Sequence, residues 1–366
     1  MNFTTISSST SKKRIVFFTA ALEQGGAERV ISILTKYLAG YNFHVEILLY
    51  YNRPVLYPIH LGVKITSVEK ETGSKNILKN LFWMRKFFKM HADIVISFLA
   101  SFNILAVFAH LGLSSILIVA DRVDPWFVPS HFILRKIRDF SYRLADGVTV
   151  QTQHNKAYFP SAVQKRTAVI YNPIDLGDKR GQALHTPKQN KIVCVGRLKS
   201  QKNHALLLKS FTQIQADFPT FKLVFYGEGP EKSNLQETVC KLGLEKHVYF
   251  AGNIKNLFDE IADAKLFVLC SNYEGMSNAL AEAMCLGLPV ISTDVSGAAE
   301  LIENGKSGFV IPKNSQEALT QTMKKILTNE TLQKQLGQQA VKLNEQLKVS
   351  TIVKQWVDFI QKMERQ

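Results

Sequence analysis

Cysteine is scarce and scattered. The 366 residues hold four, at Cys194, Cys240, Cys270 and Cys285. None forms a C-x-x-C pair, so neither a disulfide framework nor a zinc ribbon is indicated, and the chain suits a reducing compartment. No complete G-x-G-x-x-G followed by an acid stands after the first strand-like run, which argues against a nicotinamide dehydrogenase. No D-x-D occurs, and there is no short-period repeat, no nucleic-acid motif and no low-complexity tract beyond the Ser/Thr-rich start. Acids are also in deficit: 30 Asp and Glu stand against 45 Lys and Arg, a formal charge of +15. Such an excess suits nucleic acid, an anionic membrane surface or phosphorylated substrates, and does not choose among them. It lies mainly in residues 1–180, which hold 23 basic against 12 acidic residues. Lys75, Lys79, Arg85, Lys86 and Lys89 fall between Glu71 and Asp93 with no acid among them, and Arg135, Lys136, Arg138 and Arg143 are offset only by Asp139.

A chain of this length with 46% hydrophobic and 20% charged residues exceeds one ordinary core, and two domains are expected. Lys12-Lys13-Arg14 before the apolar residues 15–22 superficially resembles a signal peptide, but the run is short and meets Glu23 at once. Residues 14–19 read instead as a buried strand. Residues 94–120 contain no charged side chain and are long enough to span a bilayer, yet Ser, Asn, His and Gly divide them into strand 94–98, helix 103–111 and strand 116–120. Further strands are expected at 44–50, 147–151, 168–170, 191–195, 222–226, 248–251, 266–269, 290–293 and 308–311. The alternation predicts an α/β protein of two Rossmann-like domains with parallel sheets facing across a cleft. Expected boundaries are a tail at 1–11, a first domain at 12–175, a linker at 176–189, a second domain at 190–350, and a C-terminal helix at 351–366 able to cross back to the first domain.

Three glycine turns follow predicted strands: Gln24-Gly25-Gly26-Ala27-Glu28-Arg29, Gly196-Arg197 and Gly227-Glu228-Gly229-Pro230. Glycine between strand and helix lets backbone N–H groups close on an anion, although it also simply makes tight turns. Arg197 and Lys202 fall on one such loop, at the sheet edge where open α/β proteins bind ligands. Glu274-Gly275-Met276-Ser277-Asn278 precedes a helix that carries Glu282, about two turns along. Carboxylates so placed can hold vicinal hydroxyls, while the helix start suits a diphosphate. An isolated acid is more often a solvated helix-end group. Here the small-residue turn and the Arg/Lys loop favour binding.

In this order, the Gly25-Gly26-Ala27-Glu28-Arg29 turn, Gly196-Arg197 with Lys202, Gly227-Glu228-Gly229-Pro230 and the E-x7-E pair Glu274 and Glu282 resemble a retaining nucleotide-sugar glycosyltransferase of family four, with the GT-B fold. Tyr171-Asn172-Pro173-Ile174-Asp175 resembles that family's hinge. Ser97-Phe98-Leu99 with Asn103, followed by Asp121-Arg122-Val123-Asp124-Pro125, is similar to members that add hexoses or N-acetylhexosamines to lipid-linked oligosaccharides. The resemblance implies that Arg197 and Lys202 neutralise the leaving nucleoside diphosphate, that Glu282 binds ribose, and that Glu274 contacts the sugar beside Gly275, Met276, Ser277 and Asn278. Gly25 and Gly26 would approach the donor phosphates, and backbone near Gly252 and Asn253 would read a base, by resemblance uridine. It also implies charge assistance by Arg and Lys with no cofactor and no required metal.

For the first domain, Arg122 and His110 are the candidate catalytic groups, Arg122 because it follows a strand at the cleft edge. Asp121 and Asp124 could simply pair with Arg122, and His110 could be a satisfied core residue. Residues 75–90 interleave charge with Ile77, Leu78, Leu81, Phe82, Trp83, Phe87 and Phe88, as a helix on an anionic bilayer does, or as a domain helix with solvated lysines does. Expected partners are a nucleotide-sugar, a lipid-linked saccharide acceptor and an anionic membrane surface, with no nucleic acid. The expected location is the cytoplasm, peripheral to the inner membrane. A hydrolysing nucleotide-sugar epimerase, or a non-catalytic module binding membrane or nucleic acid, are the alternative readings.

Overall fold

The computed structural model describes residues 12–23, 25–41 and 43–365. The tail expected at 1–11 and Gln24 of the first glycine turn lie outside the described residues. The chain divides into two compact units. One holds the described residues up to Val150, Phe159–Val169 and those from Val353 onward; the other holds Gln151–Tyr158 and Ile170–Ile352.

The first unit is built on β1 (Lys13–Thr19), β2 (Phe43–Leu49), β3 (Lys64–Ser67), β4 (Ile94–Phe98), β5 (Ile116–Ala120), β6 (Gly147–Val150) and β7 (Thr167–Val169). All pair in parallel in the order β3-β2-β1-β4-β5-β6-β7. The uncharged stretch 94–120 is therefore strand, helix Ala100–His110 and strand, as its polar interruptions predict. Among the described residues, no helix is long and apolar enough to cross a membrane. Sequence reading missed β3. It is a short edge strand with only Ser67 buried, so it lacks the apolar run that marks a strand covered on both faces.

The second unit carries β8 (Lys191–Val195), β9 (Lys222–Tyr226), β10 (Val248–Gly252), β11 (Leu266–Leu269), β12 (Val290–Thr293) and β13 (Phe309–Ile311), parallel in the order β10-β9-β8-β11-β12-β13. Alternate side chains enter two cores. Val193, Val224 and Phe267 face one, while Ile192, Cys194, Leu223, Phe225 and Val268 face the other. Residues 176–189, expected as a linker, form two short 3₁₀ turns, Gly177–Lys179 and Gln182–Leu184. They pack on this unit, with Leu176 and Ala183 buried in the first of its cores. Apolar periodicity does not reveal such a segment, because two or three buried side chains suffice to hold it.

The C-terminal helix is Val349–Met363. Its Trp356 is fully buried and stacks on Phe98 of β4 at 6.2 Å, while Phe359 and Met363 lie against Gly147, where a Cβ would meet them at 3.0 Å. The helix thus closes a face of the first sheet.

Candidate active site

In both sheets the strand order reverses direction at a switch point, β1/β4 in the first and β8/β11 in the second. The crevice outside the strand carboxyl ends at such a point is where open α/β sheets bind ligands. In the second unit, the loops after β8 and β11 carry the residues singled out from the sequence.

The β8 loop is shaped by close backbone contacts. Gly196 N donates to Tyr226 O at 2.9 Å, Gly227 N to Gly252 O at 2.8 Å and Leu198 N to Glu228 O at 3.0 Å. Gly227 has φ +136°, and a Cβ there would lie 2.2 Å from Gly196 O, so only glycine fits. These contacts knit the ends of β8, β9 and β10 into one rim. Arg197 is exposed on that rim, and Asn253 is exposed just past β10. The turn Ser200–Lys202 follows, and the Lys202 stem runs back over Gly196.

Lys202 and Glu274, 72 residues apart, meet across the switch point: Nζ lies 2.5 Å from Oε1. Ser271 Oγ donates to the same Oε1 at 2.6 Å, and Thr293 Oγ1 donates to Ser271 O at 2.7 Å. The carboxylate is thus held by a cation and a buried hydroxyl, itself anchored to β12. Such charge-assisted contacts are short and strong for their type.

Glu274 leads through Gly275 and Met276 into helix Asn278–Leu286. Ser277 caps it, its hydroxyl accepting from Leu280 N at 3.4 Å, and Gly287 ends it in the left-handed region at φ +91°. The helix is buried along its length from Leu280 to Leu286. Glu282 is only 5% exposed, which is not the solvated helix-end acid that an isolated glutamate suggests. Met276 N donates to Gln151 Oε1 at 3.0 Å, and Asn172 Nδ2 donates to Asn278 Oδ1 at 2.7 Å.

Arg197, Lys202, Gly196, Glu274, Gly275, Met276, Ser277, Asn278 and Glu282 therefore fall on the two loops and the helix start at one switch point. Sequence reasoning missed Gln151, Ser271, Ser296 and Glu300. Thr152 and Asn155 both hydrogen bond to Ser296 Oγ, at 2.9 and 2.6 Å. His154 N and Tyr171 Oη donate to Glu300, at 3.1 and 3.2 Å. These pairs lie more than 120 residues apart in sequence, and no local motif announces them. His204, just after Lys202, is buried, and its pKa is pushed down to about 4 by that burial first and by the nearby Lys202 charge second.

The first-unit candidates fall in different places. Gly25 precedes helix Gly26–Leu38 at the β1 side of the switch point; Tyr57 Oη donates to Gly25 O at 3.0 Å and accepts from Gly25 N at 3.3 Å. His110, weighed as a catalytic group or a satisfied core residue, sits at the last turn of helix Ala100–His110, which runs back from the carboxyl end of β4. It pairs with Ser115 Oγ at 2.8 Å, just before β5 begins, so it lies at the amino edge of the sheet. Burial lowers its pKa. Arg122 does follow β5, but its guanidinium is buried against both the Phe98 and the Trp356 rings, at 5.3 and 5.2 Å, and donates to Thr149 Oγ1 at 3.2 Å. That enclosure lowers its pKa to about 9 and ties the C-terminal helix to the sheet. Asp121, weighed as a partner for Arg122, accepts from Tyr142 Oη at 3.2 Å and lies 3.6 Å from Arg138 Nη1. Asp124 accepts from Trp126 N at 3.0 Å. Asn103 Nδ2 donates to Tyr142 Oη at 2.7 Å and to Ala120 O at 3.1 Å. In helix Ile77–His91, Met84, Phe87 and Phe88 are buried in the domain, while Ile77, Leu78, Phe82 and the lysines are exposed.

Comparison with known proteins agrees with this geometry. Residues 177–343 match the family model "Glycosyl transferases group 1". The chain is 28% identical over 356 residues, 95% of its length and 98% of the relative's, to the Campylobacter jejuni GalNAc-alpha-(1->4)-GalNAc-alpha-(1->3)-diNAcBac-PP-undecaprenol alpha-1,4-N-acetyl-D-galactosaminyltransferase. It is 28% identical over 359 residues, 95% of its length and 99% of the relative's, to the amylovoran biosynthesis glycosyltransferase AmsD of Erwinia amylovora. Among solved structures, Anabaena Alr3699/HepE in complex with UDP and glucose superposes with a TM-score of 0.82 at 19% identity, covering 95% of this chain and 99% of that one. Sucrose-phosphate synthase of Thermosynechococcus elongatus gives 0.83 at 18% identity, with 96% and 99% covered. The chain is a glycosyltransferase of the GT-B fold, with residues 177–343 its glycosyl transferases group 1 region and its whole length resembling the transferases of bacterial polysaccharide and lipid-linked saccharide assembly.

Proposed function

We propose that this glycosyltransferase moves a hexose or N-acetylhexosamine, with retention of anomeric configuration, from a uridine-linked nucleotide-sugar to a lipid-linked saccharide at an anionic membrane surface. The observation that carries the reading is the meeting of Lys202 and Glu274 at 2.5 Å across the β8/β11 switch point, beside a capped helix start. Departure of a nucleoside diphosphate leaves negative charge on the leaving group and an oxocarbenium-like sugar. Arg197 and Lys202 are assigned to the leaving diphosphate, and preorganised charge of this kind is often the largest single contribution to the rate. No metal is assigned a part in this. Glu274, fixed by Ser271, is assigned to the sugar hydroxyls, and the buried Glu282 to the ribose. Backbone N–H groups at the start of helix Asn278–Leu286 complete an anion-friendly pole. The acceptor class is supported by the relatives, whose names include a PP-undecaprenol-linked saccharide and amylovoran biosynthesis.

A panel of labelled nucleotide-sugars, incubated with undecaprenyl-diphosphate saccharides, tests the reading. Transfer or slow donor hydrolysis is expected from one uridine-linked donor, with Lys202→Ala and Glu282→Ala each lowering turnover by about a hundredfold or more. Wild-type turnover in both variants would sink the site assignment, and an isomerised sugar nucleotide formed without acceptor would favour the epimerase.

A further inference from the structure

Helix Phe132–Ser141 is inside out. Of its ten residues, FILRKIRDFS, the two that are buried are Arg138 and Ser141. Phe132, Ile133 and Leu134 are 46–67% exposed, and Trp126 and Phe127 on the loop before the helix are 49% and 44% exposed. A helix serving a water-soluble domain buries its apolar stripe and leaves its charges outside. Here a guanidinium takes the interior position and large apolar side chains take the exterior.

The buried arginine holds those side chains out. Arg138 donates to Val128 O at 2.8 Å, to Pro125 O at 3.1 Å and to Asp139 Oδ1 at 2.8 Å, and faces Asp121 at 3.6 Å. Arg135 Nε donates to Pro129 O at 3.1 Å, and Asp124 accepts from Trp126 N at 3.0 Å. The loop bearing Trp126 and Phe127 is thus cross-linked from beneath, with both residues about half exposed. Large apolar side chains exposed together on one helix and on the loop before it point to an interaction site.

The charge around it selects the partner. Residues 125–138 contain no Asp or Glu, Asp139 is ion-paired to Arg138, and Lys136 and Arg143 are exposed beside the apolar residues. Helix Ala100–His110 packs between this helix and Ile77–His91, whose exposed Lys79, Lys86 and Lys89 continue the basic rim. An apolar cluster led by a tryptophan and bordered by cations matches the interface of an anionic bilayer, where rings enter the headgroup boundary and ammonium groups meet phosphates. We propose that Trp126, Phe127 and Phe132–Leu134 insert into an anionic lipid surface, as the apolar anchor of the first unit. This rests on the membrane-surface reading above and specifies which residues enter the lipid.

Flotation of the full chain with vesicles of phosphatidylcholine, alone or mixed with phosphatidylglycerol, tests this. The wild type is expected to float with the mixed vesicles, and Phe132→Ser/Ile133→Ser/Leu134→Ser to partition about a hundredfold less, each half-exposed side chain contributing a few-fold to tenfold. Acyl-chain-brominated lipid should quench wild-type tryptophan fluorescence, and Trp126→Phe should remove that quenching. The thermal midpoint checks that the variants fold; if the triple variant does not, the Trp126 quenching decides. Normal flotation of a folded triple variant, or no Trp126 quenching, would overturn the anchor while leaving membrane binding through the lysines of Ile77–His91 intact. Failure of the wild type to float would overturn both. A triple variant that floats normally but changes from dimer to monomer by light scattering would make the patch a self-association surface and refute the proposal.

Discussion

Replacing Lys202 by methionine keeps the stem that lies over Gly196 and removes the charge that faces Glu274. The Nζ to Oε1 distance is 2.5 Å, and the two side chains are 16% and 10% exposed. At that depth salt screening is weak, and taking away one member of a buried pair commonly costs about 3–5 kcal/mol, because the other charge is left unsatisfied. Ser271 Oγ still donates to the same oxygen at 2.6 Å, which reduces the penalty to about 2–3 kcal/mol. Glu274→Gln, which strands the more exposed lysine instead, should cost about 1–2 kcal/mol. The double variant removes both charges, so its loss should fall short of the sum by about 1–2 kcal/mol. Urea unfolding of the four proteins measures this coupling. Donor turnover is a second readout: on the proposed assignment of Lys202 to the leaving group and Glu274 to the sugar, each single variant should lose about a hundredfold to a thousandfold. Additive unfolding energies within about 0.5 kcal/mol, or Lys202→Met at wild-type turnover, would refute the reasoning.

The buried His204 predicts acid sensitivity. The unfolded chain takes up a proton near 6.5 and the folded protein only near 4, so this contribution is complete above 6.5 and is lost as pH falls toward 4. It amounts to about 3 kcal/mol, and His204→Gln should flatten the fall in urea midpoint between about pH 7 and about pH 4.5; an unchanged slope would assign the sensitivity elsewhere. Gly227→Ala sets a Cβ 2.2 Å from Gly196 O and should destabilise by about 2–4 kcal/mol, read as a lower unfolding midpoint together with weakened nucleotide binding. Trp356→Ala empties a fully buried site against Phe98 and Arg122 and should cost about 3–5 kcal/mol, measured by thermal unfolding, with Trp356→Phe milder.

Much of the molecule was legible in the amino-acid order. Strands buried on both faces are short, near-continuous apolar runs, and β4, β5, β8, β9, β11 and β12 occupy the predicted residues. Edge strand β3 has no such run, and the turns at 176–189 keep too few buried side chains to show a period. The donor-site candidates were legible because glycine turns and charged residues cluster locally after strands. His110 and Arg122 show the limit. Both stand near the uncharged stretch 94–120, yet the helix direction carries His110 to the far edge, and Trp356, more than 200 residues later, encloses Arg122.

By itself the sequence determined the α/β alternation, the glycine-bounded loops and the places where cations outnumber acids, since each depends on neighbours within a turn or two of the chain. Tertiary structure alone decided that Lys202 meets Glu274, that Ser271 shares its oxygen and that Gln151 reaches Met276. It also made Arg138, one member of a basic cluster, a buried brace beneath half-exposed aromatics. The reason is physical: periodicity records which side chains are apolar, whereas burial and pairing depend on which distant strand ends the sheet order makes neighbours.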